Sequence, residues 1–174
     1  MEIRSVDQFL PYYEGVRERT RRVVACIPDE RMEWRHAPRR FSLGDLMRHL
    51  AALERRMFAE NVAVRPSSYS GHGRELADGP DEVRRFFEEM HAQSMDIFRT
   101  LSDDDLAGRC TTPAGASLPV WKWLRAMVEH EVHHRGQLYL MLGMIDVPTP
   151  PMFGLTSEQV RERSVSARQA DANG

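Results

Sequence analysis

Two histidines spaced four residues apart, His130 and His134, are the side chains in this sequence best placed to bind a metal ion. They lie in a long segment that we predict to be a helix, in which residues i and i+4 project from the same face. Two imidazoles in this arrangement can each reach one ion at about 2.0–2.1 Å without distorting the backbone. A hydrogen-bonded pair of core histidines would satisfy the buried ring nitrogens equally well. The pair alone therefore leaves both interpretations open.

A third histidine favours the metal-binding interpretation over a hydrogen-bonded pair. His49 lies between Leu46 and Leu53 on the apolar face of another predicted helix, where a lone histidine is more often a structural residue. In an antiparallel bundle, however, the middles of different helices meet at one level, and such folds build their metal sites there. We therefore predict that His49, His130 and His134 converge on one divalent ion. Three protein ligands leave at least one coordination position open, as in catalytic sites.

The other histidines are predicted to lie outside this cluster. His133 points about 100° away from His134 around the helix axis, toward an edge of the bundle. His36, His72 and His91 fall in loops or on a mostly charged face, and we predict that they are surface residues. Of these, His72 in the loop YSGHGRE is the candidate for lining a substrate pocket, because loops often carry functional residues.

The residues from His130 to His134 also fit HExxH, the zinc-protease signature, in which the glutamate is the general base. Such a protease needs a third ligand downstream, but carboxylates such as Asp146 and Glu158 lie in or beyond a proline-rich segment. No predicted strand offers an edge to a peptide substrate. The protease interpretation is therefore disfavoured. Glu131 is predicted to lie on the solvated flank of the helix or to accept a hydrogen bond from a ligating histidine.

Two further residues are candidates for a substrate pocket around the ion. Gln137, one turn after His134, is placed to hydrogen-bond a ligand or metal-bound solvent, or alternatively to satisfy buried backbone. Trp123, two turns before His130, is placed to wall the pocket or to pack as an ordinary core aromatic. Arg135 is a candidate for binding an anionic substrate, although surface arginines are common.

Four amphipathic helices are predicted to position these residues. Their starts are indicated by capping or proline signals at Ser5, Ser42, Pro80 and Pro119. Their ends are predicted near Pro28, Val62, Leu101 and Gly143. The bundle core thus covers about residues 5–143, and residues 144–174 form a proline-rich strap and a short helix capped by Thr156 and Gln159. No alternating run of strand length occurs, so the predicted fold class is all-α.

Length and charge are those of one soluble domain that spans residues 1–174. The chain has 24 basic and 26 acidic residues, which gives no electrostatic reason to expect nucleic acid or an anionic membrane as a partner. Its two cysteines, Cys26 and Cys110, are far apart and form no disulfide framework. The absence of a basic N-terminal segment followed by an apolar run leads us to expect a cytoplasmic protein.

Three segments carry a family resemblance: GDLMRHLAALERRMFAE, EHEVHHRGQLYLML and PTPPMFGLTSEQV. Together they resemble the DinB or YfiT-like superfamily of bacterial metalloproteins, which is distinct from the DNA polymerase that shares the name. The resemblance implies an up-down-down-up four-helix bundle with long crossover connections and a homodimer. It also implies that His49, His130 and His134 bind zinc or nickel, with iron or manganese as further candidates.

The resemblance, together with the predicted site, leads to a functional hypothesis. Relatives of this kind include metal-dependent transferases and isomerases that use low-molecular-weight bacterial thiols, so we expect a metal-dependent S-transferase that acts on a small molecule. A metal-dependent hydrolase is the first alternative, because a divalent ion can lower the pKa of bound water toward about 7. A non-catalytic, dimeric metal-binding module is the second.

Overall fold

The computed structural model describes residues 2–69 and 71–172, with side chains as far as residue 165. Its helices are α1 (Val6–Val24), α2 (Leu43–Leu53), α3 (Glu60–Val62), α4 (Pro80–Arg99), α5 (Asp103–Ala107), α6 (Val120–Gly143) and α7 (Ser157–Ala172). A π-helical segment, Glu54–Ala59, joins α2 directly to α3, so these three elements form one continuous helical rod. A single 3-10 turn, Asp29–Arg31, precedes α2.

Local signals in the sequence account for most helix starts. The hydroxyl of Ser42 accepts a hydrogen bond from the backbone N–H of Asp45, and the Asp45 carboxylate accepts one from the N–H of Ser42, which confirms the predicted capping box. Pro80 is the first residue of α4, as predicted. The capping box predicted at Ser5 is wrong, because that side chain makes no capping hydrogen bond.

Two apolar clusters fill the bundle, one at each end. The first contains the end of α1, the starts of α2 and α4, and the end of α6, with Val23, Leu43, Val83 and Leu142 among its members. The second contains the opposite ends of the same helices, with Phe9, Phe58, Phe98 and Val120 among its members. Helices α1 and α6 therefore run in one direction and α2 and α4 in the other. This arrangement confirms the predicted up-down-down-up bundle.

The connector between α5 and α6 contains strands that the sequence did not predict. Strand β1 (Arg109–Thr111) pairs with β2 (Ser117–Pro119) in an antiparallel hairpin, with Cys110 opposite Leu118. Each strand is three residues long, which is shorter than the four to eight residues over which alternation can be recognised. Because Cys110 and Leu118 pack against the second apolar cluster, the hairpin closes one end of the all-α bundle.

The residues after α6 form an extended strap followed by a helix. Thr156 and Gln159 cap each other's backbone N–H groups at the start of α7, which confirms the predicted cap. Helix α7 is longer than the short helix that was predicted. Among the described residues, no helix combines the length and the apolar character that crossing a bilayer requires.

Candidate metal centre

The structure brings His49 of α2 together with His130 and His134 of α6. One ring nitrogen from each histidine lies within 4.8 Å of the other two, and the Nε2 atoms of His49 and His130 are 3.1 Å apart. His134 is only 8% exposed, and the other two rings are half-buried. Three imidazole nitrogens at this spacing could hold one divalent metal ion.

Aromatic side chains on two sides fix the orientation of the histidine rings. Phe41, in the connector before α2, lies with its ring centroid 5.1 Å from that of His49 and 6.2 Å from that of His134. Phe58, in the π-helical segment, lies 5.8 Å from the ring centroid of His130. The rings therefore have little freedom to turn away from one another, which favours a preformed ligand geometry.

Gln137 fixes the orientation of the His134 ring through a hydrogen bond to Nδ1. The Oε1 atom of Gln137 lies 2.7 Å from Nδ1 of His134. An amide oxygen only accepts hydrogen bonds, so Nδ1 of His134 carries the hydrogen and the lone pair is on Nε2. The amide nitrogen of Gln137 in turn lies 3.2 Å from Nε2 of His133, which is exposed on the same helix. Gln137 thus sets the tautomer in which His134 can bind a metal.

Tyr69 plays the equivalent part for His49. Its hydroxyl lies 2.9 Å from Nδ1 of His49 and 3.3 Å from Nδ1 of His72. With the His49 N–H donating to the phenol oxygen and the phenol O–H donating to His72, Nε2 of His49 is left with its lone pair. Burial raises the pKa of Tyr69, with a further contribution from Glu75, so the phenol keeps its proton.

All three histidines are neutral near pH 7. Burial, and next the neighbouring His134, lower the pKa of His49 to about 4. Burial and the same neighbour lower the pKa of His130 to about 3. The pKa of His134 is also lowered, chiefly by burial, although its hydrogen bond to Gln137 acts in the opposite direction. Because imidazole binds metals only when it is neutral, no proton must leave these rings before an ion can bind.

The structure places two of the three predicted pocket residues beside the histidines. Gln137 contacts His134 directly. His72 lies in contact with Phe41, with 4.3 Å between the ring centroids. Trp123 is one ring further away, because it packs on Phe58 rather than on a histidine, with 4.6 Å between centroids. Its indole N–H is buried and has no hydrogen-bond partner within the described part of the chain.

The predicted location of Glu131 is wrong. This residue is 1% exposed, and its carboxylate accepts hydrogen bonds from the hydroxyls of Tyr13, at 3.0 Å, and Thr20, at 2.6 Å. Both partners belong to α1, on the side of α6 that faces away from the three histidines. Since consecutive helical residues point about 100° apart, Glu131 cannot turn toward the metal centre that His130 faces. The HExxH match therefore lacks the general base that a protease requires.

Two other residues assigned to the surface are also buried. His91 is 2% exposed and lies between Glu54, at 2.8 Å, and Glu14, at 3.0 Å. Arg135, considered for substrate binding, instead donates a hydrogen bond to the backbone oxygen of Val16. Charged sequence neighbours made these positions look solvated, but each finds its partner on another helix. With the other buried polar groups around them they form what we call the ionic network: Tyr13, Arg17, Thr20, Glu54, His91, Glu131 and Arg135.

A cavity of about 400 Å³ adjoins the histidines, between the connector before α2 and the second half of α6. Phe41 and Gln137 belong both to its wall and to the surroundings of the histidines. A larger cavity, of about 480 Å³, lies between the loop after α3 and the hairpin, and none of the three histidines lines it. The three histidines are absent from the wall of the smaller cavity as well, but that cavity shares Phe41 and Gln137 with their surroundings and is the nearer of the two to the centre.

Solved structures with the same bundle include two DinB-like proteins. The one from Bacillus cereus superposes with a TM-score of 0.70 at 16% identity, covering 85% of this chain and 97% of its own. The one from Bacillus subtilis has a TM-score of 0.66 at 16% identity, covering 83% and 96%. Mycothiol-dependent maleylpyruvate isomerase has a TM-score of 0.59 at 19% identity, covering 76% of this chain and 60% of its own.

Sequence comparison assigns the family. No protein of curated function matches this sequence significantly. The sequence profile of the DinB superfamily, in contrast, matches residues 12–138, which include most of the four bundle helices and all three clustered histidines. The fold shared with the DinB-like structures agrees with this match. The chain therefore belongs to the DinB superfamily.

Proposed function

We propose that this protein is a metal-dependent transferase that adds a low-molecular-weight thiol to a small electrophilic molecule, with His49, His130 and His134 as the metal ligands. Zinc or nickel is the expected ion, and iron or manganese are further candidates. The observation that carries the proposal is the convergence of three neutral imidazoles from two helices. A divalent ion bound there would act as a Lewis acid that favours the thiolate form of a thiol.

The donor set suits a catalytic ion. Among the described residues, the group contains no carboxylate and no cysteine thiol beside the three histidines, so it leaves at least one coordination position for an exogenous ligand. Nitrogen donors are common ligands of zinc and nickel. The hydrogen bonds from Gln137 and Tyr69 hold His134 and His49 in the tautomers that ligation needs.

Thiol chemistry fits the surroundings better than hydrolysis. Activating water calls for a general base near the ion, but of the two glutamates that flank His130 in sequence, Glu131 is hydrogen-bonded to Tyr13 and Thr20 and Glu129 is exposed. A thiol has a pKa several units below that of water and needs less assistance. The isomerase that shares this bundle is named for its dependence on the thiol mycothiol, which also supports the proposal.

The remaining contacts assign roles to residues of this chain. Phe41 packs against the rings of His49 and His134 and forms part of the cavity wall. Gln137 and Tyr69 are positioning residues, because they touch the histidines and not the reacting atoms. His72, which receives the hydrogen bond from Tyr69, lies at the loop that closes this side of the site.

The test is thioether formation by the zinc-loaded protein. Mycothiol, bacillithiol and glutathione would each be offered with an electrophilic aryl halide, and the product would be measured by mass spectrometry. We expect His49→Ala to lose both bound zinc and thioether formation, whereas Glu89→Ala, an exposed change on α4, should lose neither. Thioether formation that is equally fast without metal would contradict the proposal. Hydrolysis of esters by the loaded protein, with no thiol transfer, would support the hydrolase instead.

A further inference from the structure

The larger cavity, of about 480 Å³, lies away from the three histidines, and its volume is within the range of small-molecule sites. Its wall consists of residues 61 and 64–67 on one side and of residues 109–113, in and after β1, on the other. Asn61 ties the two sides together, because its amide nitrogen donates a hydrogen bond of 2.8 Å to the backbone oxygen of Thr111. The two sides are therefore joined before any ligand binds.

The wall of this cavity carries two positively charged side chains. Arg65 and Arg109 line it, and within the described residues no aspartate or glutamate does. Arg109 makes no ion pair in the described part of the chain. Its Nε and Nη2 atoms instead donate to the hydroxyl and the backbone oxygen of Ser117, at 2.9 and 2.6 Å. Because both acceptors are neutral, the charge of Arg109 is not balanced by these contacts.

Arg65, on the other side of the cavity, is only partly neutralised. Its Nε atom lies 2.6 Å from the carboxylate of Glu60, which also pairs with Arg55. One negative charge is thus shared by two guanidinium groups, so this side of the cavity keeps a net positive charge. The side chain of Arg65 is 52% exposed, which leaves it accessible to an anion in solution.

Hydroxyl groups on the same wall add neutral donors. Ser67, Thr111 and Thr112 line the cavity. The hydroxyl of Thr112 accepts a hydrogen bond from the backbone N–H of Ala116, whereas those of Ser67 and Thr111 have no partner among the described residues. A guanidinium pairs with two oxygens of a phosphate group, and a hydroxyl can donate to a third. Two arginines with free hydroxyls therefore suit a phosphate group.

The cavity also has an apolar part, formed by Val64, Pro66 and Pro113. The side chain of Val64 is 82% exposed, and its backbone has a φ of +57°, which a β-branched residue rarely adopts. Strained residues of this kind cluster at ligand-binding sites. An exposed apolar side chain at the edge of a concave site indicates a ligand that has an apolar part of its own.

We propose that this cavity binds a phosphate monoester of a small organic molecule, with Arg65 and Arg109 on the phosphate group and the hydroxyl of Ser67 as a further donor. The organic part of the ligand lies against Val64 and the two prolines. This site goes beyond the proposed function and is separate from the metal centre, because none of the three histidines lines the cavity. Its test therefore does not depend on thiol transfer.

The experiment measures binding to the zinc-loaded protein by isothermal titration calorimetry. The probes are phenyl phosphate, inorganic phosphate and phenol, which represent the whole proposed ligand, the phosphate alone and the ring alone. We expect phenyl phosphate to bind most tightly. Arg109→Gln should weaken its binding at least about tenfold, as the loss of a charge-assisted hydrogen bond implies. Arg31→Gln, the same change at an exposed position outside the cavity, should leave the affinity unchanged.

Further variants separate this cavity from the metal centre and from the general surface charge. His49→Ala, and wild type stripped of zinc by a chelator, should bind phenyl phosphate as the loaded protein does. Arg65→Gln should weaken binding as Arg109→Gln does, with circular dichroism unchanged. Binding that disappears with the metal would place the anion on the ion and overturn the proposal. Equal weakening by Arg109→Gln and Arg31→Gln would also overturn it, and inorganic phosphate that binds as tightly as phenyl phosphate would contradict the monoester.

Discussion

Two clusters of buried polar side chains lie on opposite sides of α6, and they differ in whether their polar groups find charge partners within the chain. His130 points to the metal centre, and its sequence neighbour Glu131 points to the ionic network. In the network, Arg17 pairs with both Glu54 and Glu131, so its charges find partners within the chain. In the metal centre, ring nitrogens of like chemistry face one another at 3.1 Å. A cluster whose charges are paired within the chain is structural, whereas three converging imidazole nitrogens also form a set of ligands for a metal ion.

Charge balance supports this distinction. The network contains two arginines, Arg17 and Arg135, and two glutamates, Glu54 and Glu131. Its histidine, His91, is neutral near pH 7, because burial, and next the charge of Arg17, lower its pKa to about 4. Two nitrogens of Arg17 have no hydrogen-bond partner within the described residues, but its guanidinium lies 4.3 Å over the ring of Phe87. The network is therefore neutral overall and needs no bound ion.

Acid should produce the largest effect, because it acts on both clusters. In the folded protein without metal, burial and neighbouring positive charge hold the pKa of His49 and of His91 at about 4 and that of His130 at about 3. An unfolded histidine has a pKa of about 6.5. Between these values the unfolded chain binds protons that the folded chain does not, so the free energy of unfolding must fall as pH drops from about 6.5 to 4. Thermal unfolding across this range measures the loss.

Zinc affinity over the same range distinguishes the two clusters. Protons compete with the metal for His49 and His130 only near the pKa values of these two residues, so protonation of these two ligands should not weaken zinc binding between pH 7 and about 5, although stability already declines there. Competition with a chelator at each pH would measure it. A steep fall that begins near pH 6.5 would mean that the three imidazoles are ordinary solvated histidines.

Breaking the ionic network should have the next largest effect. Glu131→Gln keeps the size of the side chain but leaves the buried Arg17 with Glu54 as its remaining carboxylate. We expect a loss of about 3–5 kcal/mol in the free energy of unfolding, as found when one member of a buried ion pair is removed. Urea denaturation would measure it, with the exposed Glu129→Gln on the same helix as the control. If the folded variant fails to bind zinc, the two clusters are not independent.

The smallest effect is expected where one ligand loses its outer hydrogen bond. Gln137→Leu removes the acceptor for the Nδ1 hydrogen of His134, and such changes reduce metal affinity about 10–100-fold. Zinc titration against a chelator would measure the change. Gln8→Leu, the same replacement at an exposed site on α1, should leave affinity as it is. An unchanged affinity in Gln137→Leu would show that packing by Phe41 alone orients the ring.

The sequence predicted the part of the molecule that depends on periodicity. Apolar stripes and caps predicted the four-helix bundle. The spacing of His130 and His134 on one helix face, with His49 in the middle of another helix, predicted the three histidines that the structure brings together. The ionic network was missed because a charged residue in a helix is usually solvated, and spacing cannot identify a partner 118 residues away, as Glu131 is from Tyr13.

Loop residues were missed for a different reason. Tyr69 contacts His49, and Arg65 lines the larger cavity, but both lie in a connector that has no repeating pattern from which a direction could be inferred. Tyr69, an aromatic residue three positions before His72, was a signal in the sequence from which its place beside the site could have been inferred, since both residues face the same site. Contacts of this kind depend on how a loop folds back over the bundle, which only the three-dimensional structure shows.

The π-helical segment Glu54–Ala59 lies within the rod that α2 and α3 form, and it changes the direction in which later side chains point around the rod axis. A π turn contains one residue more than an α turn, so every side chain after it is rotated by about 100° relative to an uninterrupted α-helix. His49 lies before this offset and Phe58 within it, yet both reach His130. In an uninterrupted α-helix, His49 and Phe58 would point to different sides. The extra residue in the π turn thus allows one rod to present both the His49 ring nitrogen and the Phe58 ring to His130.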